Sequence, residues 1–274
     1  MTNPTINITP LPILASNYLW LIRQDLHVWA VDPGDSVELC KYIKSEGLKL
    51  KGVLITHSHN DHVGGLEYLL QAYQVPVYAP RHPKIEALAA SFFRAVDEGD
   101  KLQLFEGVEA CVWHVPGHLD EHVAFIVNEA DSDIDKKAAG PHLFCGDTLF
   151  SAGCGRMFAG PAELYLSSLL RLAALPDATK VYCAHEYTLA NLEWALSLLP
   201  ADAALLDKKR RVQDLLDKGL ASLPSTIRDE KQANLFLRTD EKALRQILSK
   251  WHKLQLNSAD EYFSVLRQHK DHWA

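Results

Sequence analysis

Four apolar runs of this chain each end on histidine or aspartate, which are metal-binding side chains. The runs are GVLITHSHNDH from Gly52, EACVWHVPGH from Glu109, HLFCGD from His142 and KVYCAH from Lys180. Their β-branched and aromatic residues predict buried strands. Helical periods separate several strands, which favours an α/β or α+β domain with layered sheets and outer helices. Loops leaving one edge of such a sheet can bring the four run ends together.

The first run carries the densest group of candidate ligands. If the strand ends at Thr56 and the chain continues extended, His57 and His59 lie on one face and the next two ligands follow in a turn. Imidazole and carboxylate suit zinc, iron or manganese, and the lack of a matching cysteine set argues against a closed structural zinc site. Seven candidates are enough for two ions, with Asp147 as the natural bridge. The candidates are His57, His59, Asp61, His62, His118, Asp147 and His185.

The other histidines and the nearby cysteines are weaker candidates. His114 and His122 lie four residues on either side of His118, so either could approach the metal. Cys145 and Cys183 are expected to be small buried packing residues rather than nucleophiles or soft-metal ligands. Six histidines have no clustered partner and are assigned no role: His27, His82, His142, His252, His269 and His272.

Composition narrows the class of protein. The 274 residues, 47% hydrophobic and 23% charged, suit one large globular domain or two smaller ones. No apolar stretch approaches the roughly 20 residues of a membrane span, and the start MTNPTINITP does not resemble a secretory signal, so a cytoplasmic protein with five reduced cysteines is expected. A net charge of -7 argues against nucleic-acid binding. An anionic substrate would need a local basic pocket.

The pattern of predicted secondary structure changes near residue 188. Before it, strands alternate with helices, and after it four segments carry helical periodicity, including SADEYFSVLRQHK, whose Ser258 and Glu261 fit a capping box. We therefore predict a catalytic domain over residues 1–187 and a helical, substrate-binding domain over residues 188–274. The polar insert around Ser132 to Ala139 is expected to be a solvent loop.

The motifs THSHNDH, PGHLDEH, CGDTLF and CAHEYT, in this order, resemble the metallo-β-lactamase superfamily. SNYLW, VDPGD, GCGRMF, HEYTLANLEWALS, NLFLRTD and LRQHKD narrow the resemblance to the glyoxalase II, or hydroxyacylglutathione hydrolase, family. The resemblance implies an αββα sandwich followed by an all-α domain. PGHLDEH departs from the family pattern by placing Glu121, instead of a small residue, before its last histidine.

The resemblance also implies how the seven ligands divide. His57, His59 and His118 would hold one divalent ion, and a second set would hold the other, with zinc expected and iron or manganese possible. The second set is Asp61, His62 and His185. Asp147 would bridge the ions, and Asp61 and Asp147 would serve in catalysis.

A glutathione pocket is implied as well, formed by Arg156, Phe158, Tyr187, Arg267 and Lys270. Phe158 stands where some relatives have tyrosine, so one hydroxyl contact would be absent. By spacing alone, Arg267 and Lys270 are typical of a solvated basic edge of a helix. Only the resemblance assigns them to substrate.

The implied reaction is hydrolysis of S-2-hydroxyacylglutathione, chiefly S-D-lactoylglutathione, to glutathione and D-lactate by a metal-bridging hydroxide, the second step of methylglyoxal detoxification. A monomer acting on this small-molecule thioester is expected. The alternatives are a mononuclear iron persulfide dioxygenase, another hydrolase of the same fold, or a metal-binding scaffold. The helical extension and the intact ligand set favour the hydrolase.

Overall fold

A computed structural model describes residues 6–129, 140–253 and 256–273. The chain divides into two compact units. The first comprises the described residues up to His114, those of 121–146, and Tyr182–His185. The second comprises residues 115–120, 147–181 and those from Glu186 onward. The predicted solvent loop around Ser132 to Ala139 lies outside the described residues.

The first sheet of the first unit has six strands in sequence order. β1 to β3 are antiparallel neighbours, and β3 to β6 are parallel. Parallel neighbours need crossovers, and helices make them here. The strands are β1 (Asn7–Ile13), β2 (Asn17–Gln24), β3 (His27–Val31), β4 (Lys49–Leu54), β5 (Val77–Ala79) and β6 (Phe93–Ala95).

Helices of the first unit cover one face of this sheet. Leu39 and Ile43 of the first helix and Leu66 and Leu69 of the third belong to one buried cluster with strand residues such as Val53. Burying each such side chain stabilises the fold by roughly 1.5–3 kcal/mol. The helices are α1 (Val37–Ser45), α2 (Asn60–Val63), α3 (Leu66–Ala72) and α4 (Pro83–Ala89).

The second sheet runs in the order β7, β8, β9, β10, β13, β14. Trp29 of β3 links it to the first sheet, because its indole Nε1 donates to the Leu104 carbonyl at 2.9 Å. At the start of β13, Lys180 and Val181 pair with β14, which belongs to the second unit. The strands are β7 (Lys101–Phe105), β8 (Val108–His114), β9 (Val123–Glu129), β10 (His142–Gly146), β13 (Lys180–Cys183) and β14 (Ser225–Thr226).

The second unit is mainly helical around a two-stranded hairpin. Its last helix begins at the predicted capping box, in which Ser258 and Glu261 cap each other's backbone. The hairpin strands are β11 (Leu149–Phe150) and β12 (Gly153–Cys154). The helices are α5 (Ala162–Ala173), α6 (Thr188–Leu198), α7 (Ala203–Leu216), α8 (Ile227–Ala233), α9 (Lys242–His252) and α10 (Ala259–Asp271).

A buried polar network fixes the hairpin within the second unit. Glu230 of α8 is fully buried and pairs with Lys208 of α7 at 2.6 Å. Its other oxygen accepts from the Ala152 amide at 2.7 Å, and Asn234 donates to the carbonyls of Phe150 and Gly153. Because the buried charges are paired and hydrogen-bonded, the hairpin has one well-defined position.

The predicted fold class is confirmed: α/β sheets precede a helical C-terminal region. The assignment of residues 1–187 to catalysis and 188–274 to substrate binding concerns function and stays a prediction. Within the described ranges, the helices are too short or too polar to span a bilayer.

Candidate metal centre

The loop after β4 places the first group of histidines. The apolar run continues buried through Thr56 and His57, and α2 begins only after His59. The Nε2 atom of His57 lies 3.2 Å from Nδ1 of His59, so the two predicted ligands converge. Gly34 allows the loop to pass, because a Cβ at that position would lie 1.8 Å from the carbonyl oxygen of Asp61.

Three more predicted ligands of the first unit form a second group. The ligand atoms of Asp61, His62 and His185 lie within 4.8 Å of one another. Oδ2 of Asp61 is 3.3 Å from Nε2 of His185 and 3.6 Å from Nε2 of His62. His185 is the residue on which the fourth apolar run ends, and a backbone bridge to Asn17 holds it there. The strand-end pattern therefore predicted this group correctly as neighbours in space.

The second unit contributes the remaining two predicted ligands. Nε2 of His118 lies 3.6 Å from Oδ2 of Asp147, and both residues are buried. Nearby, the Gly155 amide donates to the Asp147 carbonyl at 3.0 Å. A side chain on Gly155 would collide with that carbonyl and with the His118 ring. This close packing restricts the positions of both predicted ligands, His118 and Asp147.

Oxygen atoms lie within hydrogen-bond distance of the Nδ1 atoms of four histidines, an arrangement that suits metal binding through Nε2. An Nδ1–H that donates to oxygen leaves the Nε2 lone pair available, as ligating histidines usually show. The partners are Thr56 Oγ1 for His57 at 3.0 Å, Asp32 Oδ2 for His62 at 2.9 Å, the Arg156 carbonyl for His118 at 2.8 Å and Ser16 Oγ for His185 at 3.2 Å. This donor chemistry fits divalent ions such as zinc, iron and manganese.

Asp32 contacts the predicted ligands, although the sequence reasoning did not assign it to the site. Its Oδ1 accepts from the Thr56 amide at 2.8 Å and its Oδ2 from the Thr56 hydroxyl at 2.7 Å. The same Oδ2 lies against His62. Asp32 thus orients ligands from both groups of the first unit. The available signal was that the VDPGD motif follows β3, another strand that ends on a carboxylate.

Asn17 and Ser16 were also missed as partners of the ligands. The Asn17 amide donates to Oδ2 of Asp61 at 3.0 Å and lies 3.4 Å from Nε2 of His185. In the sequence, the SNYLW motif that contains both residues contributes only to the family resemblance. A side-chain amide beside a cluster of ligands is hard to distinguish by sequence from an ordinary surface residue.

The weaker candidates differ in their surroundings. His122 is fully buried and its ring stacks on that of His57, with centroids 4.5 Å apart and planes at 17°. His114 is exposed, and its backbone amide donates to Glu98. Cys145 and Cys183 are buried in the core, as the packing interpretation predicted.

A cavity of about 220 Å³ lies in the second unit and contains four of the five predicted substrate-binding residues. These are Arg156, Tyr187, Arg267 and Lys270. The fifth, Phe158, is 62% exposed, and its ring meets the His118 ring edge-on at 5.4 Å. The other lining residues are Phe150, Cys154, Asn191, Asp271 and Trp273.

The cations of this cavity have different surroundings. Lys270 places its ammonium 5.0 Å from the Trp194 ring centroid and 4.9 Å from that of Trp273. Burial and the nearby Arg267 charge lower the pKa of Lys270 to about 8. The side chain of Arg156 is 71% exposed, with Nε 3.9 Å from Asp271. The cavity therefore holds an exposed cation and a partly buried, titratable one.

Arg267 is almost completely buried, with 5% of its surface exposed. Its Nη1 donates to the Cys154 carbonyl at 2.9 Å and to the Gly155 carbonyl at 3.4 Å, and its Nη2 to Asp271 at 3.0 Å. Most of its donors are therefore used by the protein. Direct binding of substrate by Arg267 stays a prediction, and its geometry also suits holding the segment that supports His118.

Comparison with known proteins identifies the relatives of both parts of the chain. Residues 17–132 match the model of the metallo-beta-lactamase superfamily, and residues 186–273 match the hydroxyacylglutathione hydrolase C-terminus. A hydroxyacylglutathione hydrolase from Shewanella pealeana is 40% identical over 98% of this chain and 100% of its own length. One from Aliivibrio fischeri is 40% identical over 97% of this chain and 99% of its own length.

Solved structures agree on the fold. A metallo-beta-lactamase from Staphylococcus aureus superposes with a TM-score of 0.63 at 19% identity, covering 98% of this chain and 72% of its own. At this identity the likeness concerns the fold alone. The C-terminal match and the full-length relatives show more, and by them this chain belongs to the hydroxyacylglutathione hydrolase family of the metallo-β-lactamase superfamily.

Proposed function

We propose that this chain hydrolyses S-2-hydroxyacylglutathione, chiefly S-D-lactoylglutathione, to glutathione and the free 2-hydroxy acid, here D-lactate. Such a reaction is the second step of methylglyoxal detoxification. The observation that best supports this proposal is the cationic cavity of the second unit. Many metallo-β-lactamase relatives share the ligand motif, whereas a cavity with Arg156 and Lys270 suits a substrate with two carboxylates.

The metal centre in this proposal has two divalent ions, most simply zinc. His57, His59 and His118 would hold one ion, the second set would hold the other, and Asp147 would bridge them. The second set is Asp61, His62 and His185. When bound, such ions lower the pKa of water to about 7 and polarise the thioester carbonyl.

The chain's own residues provide the orientation that this chemistry needs. Asn17 donates to Oδ2 of Asp61 and so fixes that carboxylate beside His62 and His185, where it can orient the attacking water. Asp32 and Thr56 keep the rings of His62 and His57 in a single orientation. Water adds to the carbonyl carbon, the C–S bond breaks, and the thiolate leaves as a weak base. The products are glutathione and a hydroxy acid.

In the same proposal the glutathione moiety lies in the cavity of the second unit. Lys270 and Arg156 pair with its carboxylates, and the Tyr187 ring, 40% exposed, is available for a further contact. Phe158 offers an apolar surface beside His118. These contacts form far from the reacting carbonyl, so they serve binding more than the chemical step.

The cellular setting is part of the proposal. Five free cysteines suit the reducing cytoplasm, where glutathione thioesters would be met. We propose that the chain works there as a monomer on a small molecule, without nucleic-acid or membrane partners. Gel filtration and cell fractionation test these points.

Steady-state hydrolysis of S-D-lactoylglutathione by the purified protein, with elemental analysis of the same sample, tests the main proposal. We expect turnover and two equivalents of a divalent metal. Oxygen uptake with glutathione persulfide is the matched negative assay, for which no activity is expected. A protein that holds both ions and hydrolyses no glutathione thioester would contradict the proposal.

A further inference from the structure

The loop between His57 and His59 is held by two charged side chains that the proposed reaction does not use. Ser58 lies between the histidines and is 7% exposed. Its amide and hydroxyl both donate to Oε1 of Glu121, at 3.3 and 2.6 Å. Its carbonyl accepts from Nζ of Lys84 at 2.6 Å. All of these residues belong to the first unit.

These bonds fix the peptide groups on both sides of Ser58. The Ser58 amide belongs to the peptide that follows His57, and the Ser58 carbonyl belongs to the peptide that precedes His59. A carboxylate holds the first peptide and an ammonium holds the second. Charge-assisted bonds of this kind are roughly twice as strong as neutral ones. Because a histidine ring is directed by its own backbone, both rings are constrained by this arrangement.

The residue after Glu121 contacts the same loop through a histidine ring. His122 follows Glu121 and stacks on the His57 ring at 4.5 Å. Residues 121 and 122 therefore hold one ligand by its backbone and by its ring. The loop from His57 to His59 has no regular secondary structure, and the Thr56 carbonyl just before it accepts from the Val123 amide at 2.9 Å.

We infer that Glu121 is a positioning residue that, through Ser58 and with Lys84, sets the directions of His57 and His59 for metal binding. The inference rests on the proposed function for the assignment of these histidines as ligands. A partner that orients ligands typically changes metal affinity by about 10- to 100-fold. Glu121 fills this role from a position outside the ligand set.

Metal affinity, measured without substrate, tests the inference. Metal-free protein is titrated with zinc against a chromophoric chelator, and its thermal midpoint is recorded before zinc is added. Glu121→Ala should bind zinc about 10- to 100-fold more weakly, while its metal-free midpoint stays close to that of the wild type. Glu121→Gln, which keeps an acceptor oxygen, should have a zinc affinity between those of the wild type and Glu121→Ala. Lys84→Met should weaken binding in the same direction.

The exposed pair Lys101 and Glu109 supplies matched controls in the same unit, because its atoms lie 3.2 Å apart on the second sheet. Lys101→Met and Glu109→Ala should bind zinc like the wild type. Partners that orient ligands usually change metal affinity by more than about threefold. If the zinc affinity of Glu121→Ala lies within about threefold of these controls, the inference is overturned. If Glu121→Ala does not fold, Ser58→Ala removes the shorter bond and should give a smaller loss, and an unchanged affinity there overturns the inference equally. If the wild type binds no divalent ion, that result would instead contradict the proposed function.

Discussion

The loops of the first unit that carry predicted metal ligands and the proposed substrate cavity of the second unit are built in opposite ways. In the loops, ligands follow strand ends within a few residues, and short polar side chains such as Asp32 and Asn17 orient them. In the cavity, the lining side chains come from a hairpin, a loop and the last helix, as Phe150, Arg156 and Lys270 illustrate. Local spacing determines the first region, and the packing of distant segments determines the second.

This difference predicts how each region tolerates substitution. A metal ligand has several fixed neighbours, so its loss affects affinity and chemistry together. In the proposed function, a cavity cation is one of several contacts to a remote part of the substrate, so its loss should mainly weaken binding. Arg267 tests the comparison, because it lines the cavity and yet donates to the segment beside His118.

The largest effect is expected from Asp147→Ala. Removing a bridging carboxylate leaves neighbouring cationic charge uncompensated at both proposed ions. We expect kcat/KM to fall by at least about 10³-fold, roughly 4 kcal/mol, together with loss of bound metal. Steady-state assays and elemental analysis measure both. Asp177→Ala, on the surface of the same unit, is the control, and normal metal content with a normal rate in Asp147→Ala would show that the bridge is misassigned.

The first of the two regions was largely predictable from sequence. Runs such as KVYCAH signal both a strand and its terminal ligand, because the apolar segment and His185 are adjacent in the chain. The outer partners were harder to predict: VDPGD at the end of β3 was the one signal for Asp32, and Ser16 and Asn17 reach His185 only through tertiary contacts.

The cavity was predictable only through family resemblance. Spacing of three along α10 made Arg267 and Lys270 look like a solvated edge. Tertiary packing overrides that interpretation: Arg267 is buried against the Cys154 carbonyl, and Lys270 lies near two tryptophan rings. No local rule indicates that neighbours on one helix face have such different surroundings.

The next largest effect is expected from Asp32→Asn. Asp32 has φ of +52°, a conformation that asparagine tolerates, so the backbone should be retained. The amide loses the charge that orients His62 and accepts fewer bonds from Thr56 and His62. We expect metal affinity to fall about 10- to 100-fold. Chelator competition measures it, Asp25→Asn in the turn after β2 is the matched control, and equal affinities in the two variants would remove Asp32 from the site.

A smaller effect, on substrate binding, distinguishes the two cations of α10. Lys270→Ala should raise KM about tenfold with kcat nearly unchanged, because one charge-assisted bond of roughly 1.5 kcal/mol is lost equally from substrate and transition state. Arg267→Ala should also lower kcat, since the segment beside His118 loses its support. The defect of Lys270→Ala should shrink for a thioester lacking the glutathione carboxylates. The same KM and kcat pattern in both variants would remove the distinction drawn for Arg267.

The smallest effect concerns pH, and it follows from the lowered pKa of Lys270. Burial and the Arg267 charge bring this pKa from 10.5 to about 8, so the ammonium loses its charge as pH rises through about 8. The value of kcat/KM should therefore fall by a few-fold between about pH 7 and 9. The fall should not exceed the loss of kcat/KM in Lys270→Ala, in which the charge is absent at every pH. A bound carboxylate stabilises the ammonium, so kcat at saturation should change less.

Lys270→Arg is the sharpest control for this prediction, because arginine stays charged throughout the range. It should lose the alkaline decline while retaining most of the binding. Stability should respond with the opposite sign. Between about pH 8 and 10.5 the unfolded chain holds more protons at Lys270 than the folded chain, so the contribution of this residue to stability rises with pH. A decline that persists unchanged in Lys270→Arg would assign it to another group, and the cavity would then bind substrate through a lysine of ordinary pKa.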